Sequence, residues 1–234
     1  MLDFLDIYKK LDFLPEYLRV QYTNFIIKYF HKVEYRLTLE EIFVRLKADE
    51  PIEYIFNLAE FGECQLYVDN RVLIPRQETL ELAKLSLEYI ASQDNVRCVL
   101  DIGTGSGCIA IYLADQLRDR DISFYGIDIS KDALDVANIN ITEYKLQNKI
   151  KLIHTDFRDL EFENLSDCMI VANLPYIPNS RKLPNSVYKY EPHIALFGGM
   201  NGDELITELL NKIKKSENIK RSFLEIDNGE IIVI

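Results

Sequence analysis

The sequence predicts an α/β domain with a mostly parallel sheet, preceded by a small helical domain. Short apolar runs typical of buried strands recur from about residue 98 onward, and they alternate with stretches whose apolar residues have helical spacing. A glycine-rich turn follows the first of these strands, and before residue 50 only helical spacing occurs. A chain of 234 residues has room for one such domain and an appendage.

Residues 1–50 are predicted to form the helical domain. Apolar side chains recur at helical spacing from Leu2 to about Leu46, which indicates two or three short helices. The last of them begins with Thr38-Leu-Glu-Glu41, the pattern of a capping box. Two roles are open for this domain: a lid that completes the core, or a surface on which a protein partner docks.

Residues 51–75 are predicted to be a linker that contains a β-hairpin, and residues 76–234 form the α/β domain. In the linker, residues 61–68 and 72–74 have strand character and flank Asp69-Asn70, a dipeptide typical of turns. The α/β domain then opens with a helix of regularly spaced leucines.

The strongest functional signal is the turn that follows the strand Val99-Leu-Asp-Ile102. Its glycines permit positive φ and leave room for a ligand, which the free N–H groups of the next helix would face. The Gly-x-Gly-x-Gly spacing lacks the wider last gap of a dinucleotide loop, and no Gly-Lys-Ser/Thr is present for a triphosphate. An acid at the strand end suits a cation better than a pyrophosphate. The sequence therefore favours S-adenosyl-L-methionine, held by Asp101, Gly103, Thr104, Gly105, Ser106 and Gly107.

Two more acidic residues follow the next predicted strands. Asp128 ends the strand at 123–128, and its carboxylate can accept hydrogen bonds from both hydroxyls of a ribose. Its alternative role is an acid favoured by the N-terminus of the following helix. After the strand at 150–154, Asp156 is predicted to accept from an adenine amino group, and Phe157 to cover the adenine ring.

The predicted chemical centre follows the fourth strand, at 168–172. There the sequence reads Asn173-Leu-Pro-Tyr176, at the sheet edge where open α/β sheets bind their ligands. Arg76 and Glu78, at the entry of the first helix of the α/β domain, are expected to face the glycine turn and contact the substrate. A fifth strand is predicted at 222–226.

Composition excludes several classes of function. A net charge of -11 argues against a protein that works mainly by binding the phosphate backbones of nucleic acids. The four cysteines have no zinc-site spacing and are expected to be reduced core thiols, and the three histidines make no metal set. No stretch is long and apolar enough for a bilayer, and the first residues lack the pattern of a signal or transit peptide. We therefore expect a cytoplasmic protein without a metal.

Five ordered motifs connect these pieces: Glu50-Pro-Ile-Glu-Tyr54, Leu73-Ile-Pro-Arg-Gln-Glu-Thr79, Asp101-Ile-Gly-Thr-Gly-Ser-Gly107, Asn173-Leu-Pro-Tyr176 and Glu191-Pro-His-Ile-Ala-Leu-Phe-Gly-Gly199. Together they resemble those of the protein glutamine methyltransferases that modify peptide-chain release factors, the HemK/PrmC family. The second motif is the discriminating one, because the Asn-Pro-Pro-Tyr type is shared with amino methyltransferases that act on nucleic acids. The resemblance covers roughly residues 45–230.

The resemblance implies a Rossmann-like, S-adenosylmethionine-dependent methyltransferase fold and N5-methylation of the Gly-Gly-Gln glutamine of a class 1 release factor, in translation termination. It also implies a monomer whose catalytic, substrate-binding motif is Asn173, Leu174, Pro175 and Tyr176. In that motif the Asn173 side-chain oxygen and the Leu174 carbonyl would accept the two amide hydrogens of the glutamine.

Three departures from the family qualify these expectations. Leu174 stands where the family has proline, the region before residue 45 is shorter, and the family continues past the fifth strand whereas this sequence ends at Ile234. A truncated sheet with an open edge is one expectation from the last departure. Two rival functions follow: an adenine-N6 methyltransferase acting on nucleic acid, and a binding module that kept the fold and lost catalysis.

Overall fold

The structure is a computed structural model that describes residues 2–32, 37–162 and 165–234. Its helices are α1 (Phe4–Lys10), α2 (Glu16–Tyr29), α3 (Leu39–Lys47), α4 (Ile52–Phe56), α5 (Gln77–Ser92), α6 (Cys108–Gln116), α7 (Lys131–Glu143), α8 (Asn185–Tyr190) and α9 (Glu204–Lys215). Its strands are β1 (Ala59–Phe61), β2 (Cys64–Leu66), β3 (Cys98–Ile102), β4 (Ser123–Asp128), β5 (Ile150–His154), β6 (Cys168–Asn173), β7 (Ile177–Pro178), β8 (Phe197–Gly199), β9 (Ile219–Glu225) and β10 (Ile231–Val233).

The main sheet has six strands in the order β10-β9-β6-β3-β4-β5. All neighbours are parallel except β10, which runs antiparallel to β9. Every residue of β3 is buried, as expected for a central strand covered on both faces. The predicted α/β class and parallel sheet are confirmed. The fifth strand begins earlier than predicted, at residue 219, and β10 pairs along its outer edge.

Apolar side chains fill a core on each face of this sheet. Because successive strand residues point to opposite faces, Val99 packs in one core and Leu100 in the other. The first core takes its helix side chains mainly from α5 and α6, and the second takes them from α9.

The linker hairpin does not lie where the sequence predicted it. Strands β1 and β2 pair around Gly62, which has φ +58° and supplies the tight turn. The predicted turn at Asp69-Asn70 is wrong as a hairpin. The Asp69 carboxylate accepts from the backbone N–H and the guanidinium of Arg71, and this local closure is not followed by a strand.

The N-terminal helices have a core of their own. The predicted capping box of α3 is confirmed: Thr38 Oγ1 accepts from the Glu41 N–H at 3.2 Å, and Glu41 Oε2 accepts from the Thr38 N–H at 2.7 Å. Helices α1–α3 share their core with Ile52, Ile55 and Phe56 of α4, so this core extends beyond residue 50. The predicted helical region also includes residues 33–36, which lie outside the described part of the chain.

Two cysteines of the main sheet are joined. Cys98 of β3 and Cys168 of β6 are direct partners in the parallel register, and their sulfur atoms form a disulfide. The expectation of four reduced thiols is therefore wrong for this pair. Cys64 and Cys108 are free and buried. No sequence pattern predicted this pair, because the two cysteines are 70 positions apart and only the sheet topology brings them together.

Among the helices described, none has the length and apolar character needed to cross a membrane.

Candidate active site

A cavity of about 320 Å³ opens at the carboxyl edge of the main sheet. Such an edge is where open α/β sheets bind ligands, because the loops after the parallel strands converge there. Its walls come from the ends of four adjacent strands, with further contributions from the linker and from the segment before β8. The wall segments at the strand ends are residues 102–106, 127–130, 155–158 and 173–175.

The glycine turn has the backbone form that the sequence predicted. Gly103, Gly105 and Gly107 all have positive φ, at 75°, 55° and 82°. The backbone N–H groups of Gly103 and Thr104 donate to the Ile127 carbonyl, which ties the turn to β4. Gly103 lies directly against the Asn173 motif, since a Cβ there would come within 3.0 Å of the Leu174 side chain.

Asp101 lies beneath this turn and does not line the cavity. It is 1% exposed, and its Oδ2 accepts from the Thr104 hydroxyl at 2.7 Å and from the Ala110 N–H at 3.2 Å. Its Oδ1 is buried and has no hydrogen-bond partner among the described residues. Burial raises the pKa of the Asp101 carboxyl to about 7. Gly107, the N-cap of α6, likewise lies outside the cavity wall.

Asp128 lines the cavity and is held by two backbone donors. Its Oδ2 accepts from the Gly105 N–H at 2.9 Å, and its Oδ1 accepts from the Ser130 N–H at 2.8 Å. Burial raises the pKa of this carboxyl, and the N–H groups of Ser130 and Gly105 oppose the rise. Because a carboxylate oxygen can accept more than one hydrogen bond, Asp128 keeps acceptor capacity for a ligand. Its assignment to a ribose stays a prediction.

The adenine-binding candidates are also in the wall. The Asp156 carboxylate is engaged by Arg158, with Nε at 3.0 and 2.9 Å and Nη2 at 2.5 Å. The Arg158 guanidinium holds the pKa of Asp156 below its usual range. Any contact with an adenine amino group must share this carboxylate with Arg158. Phe157 is buried and lines the cavity.

Asn173, the last residue of β6, presents its side chain to the same cavity. Its Nδ2 donates to the hydroxyl of Thr79 at 2.7 Å. None of the described residues donates to its Oδ1, so that oxygen is left to accept from a ligand. Sequence reasoning predicted Asn173 but missed Thr79, whose only signal was its place at the end of the Leu73–Thr79 motif.

The rest of the Asn173 motif is fixed by the chain that follows it. Leu174 and Pro175 line the cavity, and the Leu174 side chain is buried against Gly103. Tyr176 does not line it; its hydroxyl donates to Glu225 Oε1 at 3.2 Å. The main chain here packs closely on the β8 turn, since a Cβ at Gly198 would lie 2.3 Å from the Pro175 carbonyl oxygen.

Arg76 lines the cavity, but its charge is paired with a buried acid. Its Nη2 lies 2.5 Å from Oε1 of Glu191, whose side chain is 1% exposed. The Ile74 N–H donates to Glu191 Oε2 at 3.2 Å. This contact joins two of the sequence motifs across the cavity rim. Glu78 is not in the wall and packs on Gly229, so the cavity does not support its predicted substrate contact.

Several wall residues were not among the predicted site residues, although Ile194 and Phe197 belong to the Glu191–Gly199 motif. Arg71 comes from the linker and is ion-paired with Asp69 at 2.6 Å. Ile194 and Phe197 come from the segment that leads into β8. Their places depend on how distant segments fold over the sheet edge. Within the described ranges, no cluster of three or more His, Cys, Asp or Glu side chains is arranged to hold a metal ion.

Known proteins are similar to this chain in sequence or in fold. The family model described as "Methyltransferase domain" matches residues 99–189. A release factor glutamine methyltransferase of Rhodopirellula baltica is 34% identical over 206 residues, covering 86% of this chain and 66% of that protein. A ribosomal protein uL3 glutamine methyltransferase of Neisseria meningitidis is 39% identical over 174 residues, covering 73% of this chain and 55% of that protein.

The solved structure of the hMettl16 catalytic domain in complex with a MAT2A 3'UTR hairpin matches with a TM-score of 0.51. At 16% identity, with 74% of this chain and 63% of that chain covered, this likeness concerns the fold alone. The chain spans at most 66% of the length of the two curated relatives described above. From sequence and fold together, the chain is a homologue of the glutamine methyltransferases and has the fold of S-adenosylmethionine-dependent methyltransferases.

Proposed function

We propose that this chain transfers a methyl group from S-adenosyl-L-methionine to the side-chain nitrogen N5 of a glutamine in a class 1 peptide-chain release factor. One observation carries the proposal: the Asn173 side chain and the glycine turn share a cavity wall, and Thr79 holds Asn173 Nδ2 so that Oδ1 is free. An acceptor oxygen of this kind is what a planar NH2 group needs as a partner.

The residues present fit the cofactor. Asp101 does not line the cavity; its buried carboxylate accepts from the Thr104 hydroxyl and the Ala110 N–H, and it would support the cofactor by holding the glycine turn in place. The backbone of Gly103 and Gly105 would lie against the amino-acid part, Asp128 would hold the ribose, and Phe157 would cover the adenine. When bound, S-adenosylmethionine supplies a methyl group activated by its positively charged sulfur.

Asn173 would act on the substrate amide in two ways. A carboxamide nitrogen is a poor nucleophile because its lone pair is delocalised into the carbonyl, so it must be held in one orientation. Asn173 Oδ1 and the Leu174 carbonyl would each accept one of its hydrogens and stabilise the positive charge that grows on the nitrogen. A hydrogen bond to a charged group contributes roughly 1.5 to 3 kcal/mol, or on the order of tenfold to a hundredfold in rate.

The neighbours of Asn173 would support this geometry. Pro175 fixes the main-chain turn. Tyr176 lies outside the cavity wall, so its predicted contact with the glutamine is not supported, and its hydroxyl instead donates to Glu225 beside Asn173 in the sheet. No strong base is needed beforehand, since the proton can leave after the nitrogen has been methylated. The Leu174 substitution is compatible with this role, because the motif position contributes its carbonyl and its side chain packs on Gly103.

The choice of a release factor rests on the Leu73–Thr79 motif and on relatives named for that activity. Other relatives are named for ribosomal protein uL3, which makes uL3 the second candidate substrate. The chain would act as a monomer in the cytoplasm, where translation takes place.

The test is methyl transfer from labelled S-adenosylmethionine to purified release factor and to purified uL3, with mass-spectrometric mapping of the product. We expect one methyl group on a glutamine N5 of the release factor. A product on uL3 alone would overturn the release-factor assignment. If the protein is instead a non-catalytic binding module, calorimetry should detect no binding of S-adenosylmethionine.

The Asn173→Ala variant tests the mechanism within the same assay. We expect its turnover to fall by about tenfold to a hundredfold, because the acceptor that orients the NH2 group is lost. Its calorimetric affinity for S-adenosylmethionine should stay close to that of the unchanged protein. Turnover comparable to that of the unchanged protein would contradict the assignment of Asn173.

A further inference from the structure

The side-chain amide of Asn173 has two orientations of nearly equal shape. One points Oδ1 at the cavity, and the other points Nδ2 there. Only the first provides an acceptor for a substrate NH2 group, because the second would oppose donor to donor. The reaction proposed above therefore needs neighbouring groups whose hydrogen bonds select the first orientation.

Thr79 makes one of the hydrogen bonds that select this orientation. It lies in the first turn of α5, is 2% exposed, and its hydroxyl oxygen is 2.7 Å from Asn173 Nδ2. A hydroxyl both donates and accepts, so Thr79 alone would pair equally well with either end of the amide. Something else must take the Thr79 proton if the hydroxyl is to act only as an acceptor.

Glu225 is placed to take that proton. It is the last residue of β9, is 1% exposed, and stands beside Asn173 in the sheet register. Its Oε1 accepts from the Tyr176 hydroxyl at 3.2 Å. Its Oε2 is buried and accepts no hydrogen bond of standard geometry from the described residues, which leaves it open to the Thr79 hydroxyl. An ionised carboxylate has only acceptors, so it fixes the direction of both hydroxyl protons.

We infer that Thr79 and Glu225 are positioning residues for Asn173: Glu225 takes the Thr79 proton, Thr79 then accepts from Asn173 Nδ2, and Asn173 Oδ1 is directed at the substrate amide. This inference rests on the proposed function, since it concerns the same site. It also gives a physical reason for the threonine at the end of the Leu73–Thr79 motif, which lies in the cavity wall with its hydroxyl engaged by Asn173.

The charge on Glu225 is essential to this arrangement. Burial raises the pKa of its carboxyl, and the hydroxyls of Thr79 and Tyr176 oppose that rise. Glu78 raises this pKa further and Arg76 lowers it. A neutral Glu225 would itself donate to Thr79, and Thr79 would then be free to donate to Asn173 Oδ1.

Three variants separate positioning from simple structural support. Thr79→Val has nearly the same shape but no hydroxyl, Glu225→Gln adds a donor at constant volume, and Thr79→Ser keeps the hydroxyl. We expect kcat to fall by about tenfold to a hundredfold in the first two variants, since one orienting hydrogen bond is lost or reversed. Thr79→Ser should stay within about threefold of the unchanged protein. The affinity for S-adenosylmethionine should be unaffected in all three.

A double-mutant cycle provides the decisive readout. In the Asn173→Ala background there is no amide left to orient, so Glu225→Gln should produce no further loss of kcat. Equal losses in both backgrounds would overturn the inference and leave Glu225 as structural support. So would a Thr79→Val variant with unchanged kcat.

These outcomes can be told apart from a failure of the proposed function. If the unchanged protein methylates no glutamine at all, the proposed function fails before any variant is made. A readout that needs no substrate is the Asn173 side-chain NH2 resonance, assigned by its absence in Asn173→Ala. We expect strong protection from hydrogen exchange in the unchanged protein and in Thr79→Ser, and loss of protection in Thr79→Val and Glu225→Gln. Equal protection in all four proteins would contradict the inference.

Discussion

Asp101 combines full burial with a charge that the surrounding residues do not balance. It is 1% exposed, its Oδ1 is without a partner in the described part of the chain, and burial raises its pKa to about 7. The usual pKa of an aspartate is near 3.8. The folded protein therefore binds a proton at Asp101 more tightly than the unfolded chain does.

The raised pKa of Asp101 makes the free energy of unfolding depend on pH. Between pH 3.8 and about 7 the unfolded carboxyl is ionised while the folded one keeps its proton, so stability falls as the pH rises through this window. Above a pH of about 7 the carboxyl is ionised in both states, and the free energy of unfolding falls no further through this group. Asp101→Asn removes the titration. We expect the free energy of unfolding of the unchanged protein, relative to the variant, to fall by up to about 4 kcal/mol across the window.

Urea unfolding of both proteins at several pH values between about 4 and 8 checks this expectation. The quantity to compare is the difference between their free energies of unfolding, because other titrating groups cancel in it. A difference that does not change with pH would show that Asp101 is not held protonated by the fold.

At the residue scale, the polar residues at or next to strand ends could be predicted from the sequence, but the residues that hydrogen-bond to them could not. Asp101, Asp128 and Asn173 were predicted because a buried strand followed by a polar residue is a local pattern. Thr79 and Glu225 were not, because their contacts with Asn173 join parts of the chain that are far apart in sequence. A single sequence contains no record of such a contact.

At the scale of elements, the same contrast separates the main sheet from the linker. Strands β4 and β5 have the predicted bounds, 123–128 and 150–154, because each is a short, largely apolar run that ends at a polar residue. The hairpin of β1 and β2 was misplaced, since both Gly62-Glu63 and Asp69-Asn70 have turn chemistry. Which turn forms a hairpin depended on packing that local sequence does not encode.

The link between β3 and β6 leads to a prediction for these two strands. The Cys98–Cys168 disulfide encloses a chain segment with a sequence separation of 70 residues. Such a closure restricts the unfolded chain, and we expect reduction to lower the free energy of unfolding by about 2–4 kcal/mol. Urea unfolding with and without reductant measures the effect. The Cys98→Ala/Cys168→Ala double variant is the control and should not respond to reductant; identical midpoints for the oxidised and reduced unchanged protein would contradict the prediction.

At the scale of the whole molecule, the site depends on segments that cross the entire α/β domain. The ion pair between Arg76 and Glu191 joins residues 115 positions apart, and the pair between Asn173 and Thr79 joins residues 94 positions apart. Both contacts connect the start of α5 with residues at the end of β6 or beyond it. The motifs in the sequence are therefore parts of one rim, and their spacing in the chain reflects the sheet topology between them.

The net charge of -11 disfavours binding to nucleic acid, so a binding measurement can distinguish a protein substrate from a nucleic-acid substrate. Binding to phosphate backbones comes from clustered Lys and Arg, and non-specific binders reach Kd values of roughly 10⁻⁴ to 10⁻⁶ M at physiological salt. We expect this protein to bind an adenine-containing RNA or DNA strand more weakly than that.

Fluorescence anisotropy with a labelled strand, followed by methyl incorporation into the same strand, tests this expectation. The release factor at equal concentration is the positive control for transfer. Because electrostatic binding strengthens as salt is lowered, the titration should be repeated at about 50 mM salt, where a hidden basic surface would become evident. Saturable micromolar binding together with methylation of an adenine amino group would favour the nucleic-acid enzyme, since an exocyclic NH2 group can use the same Asn173 acceptor.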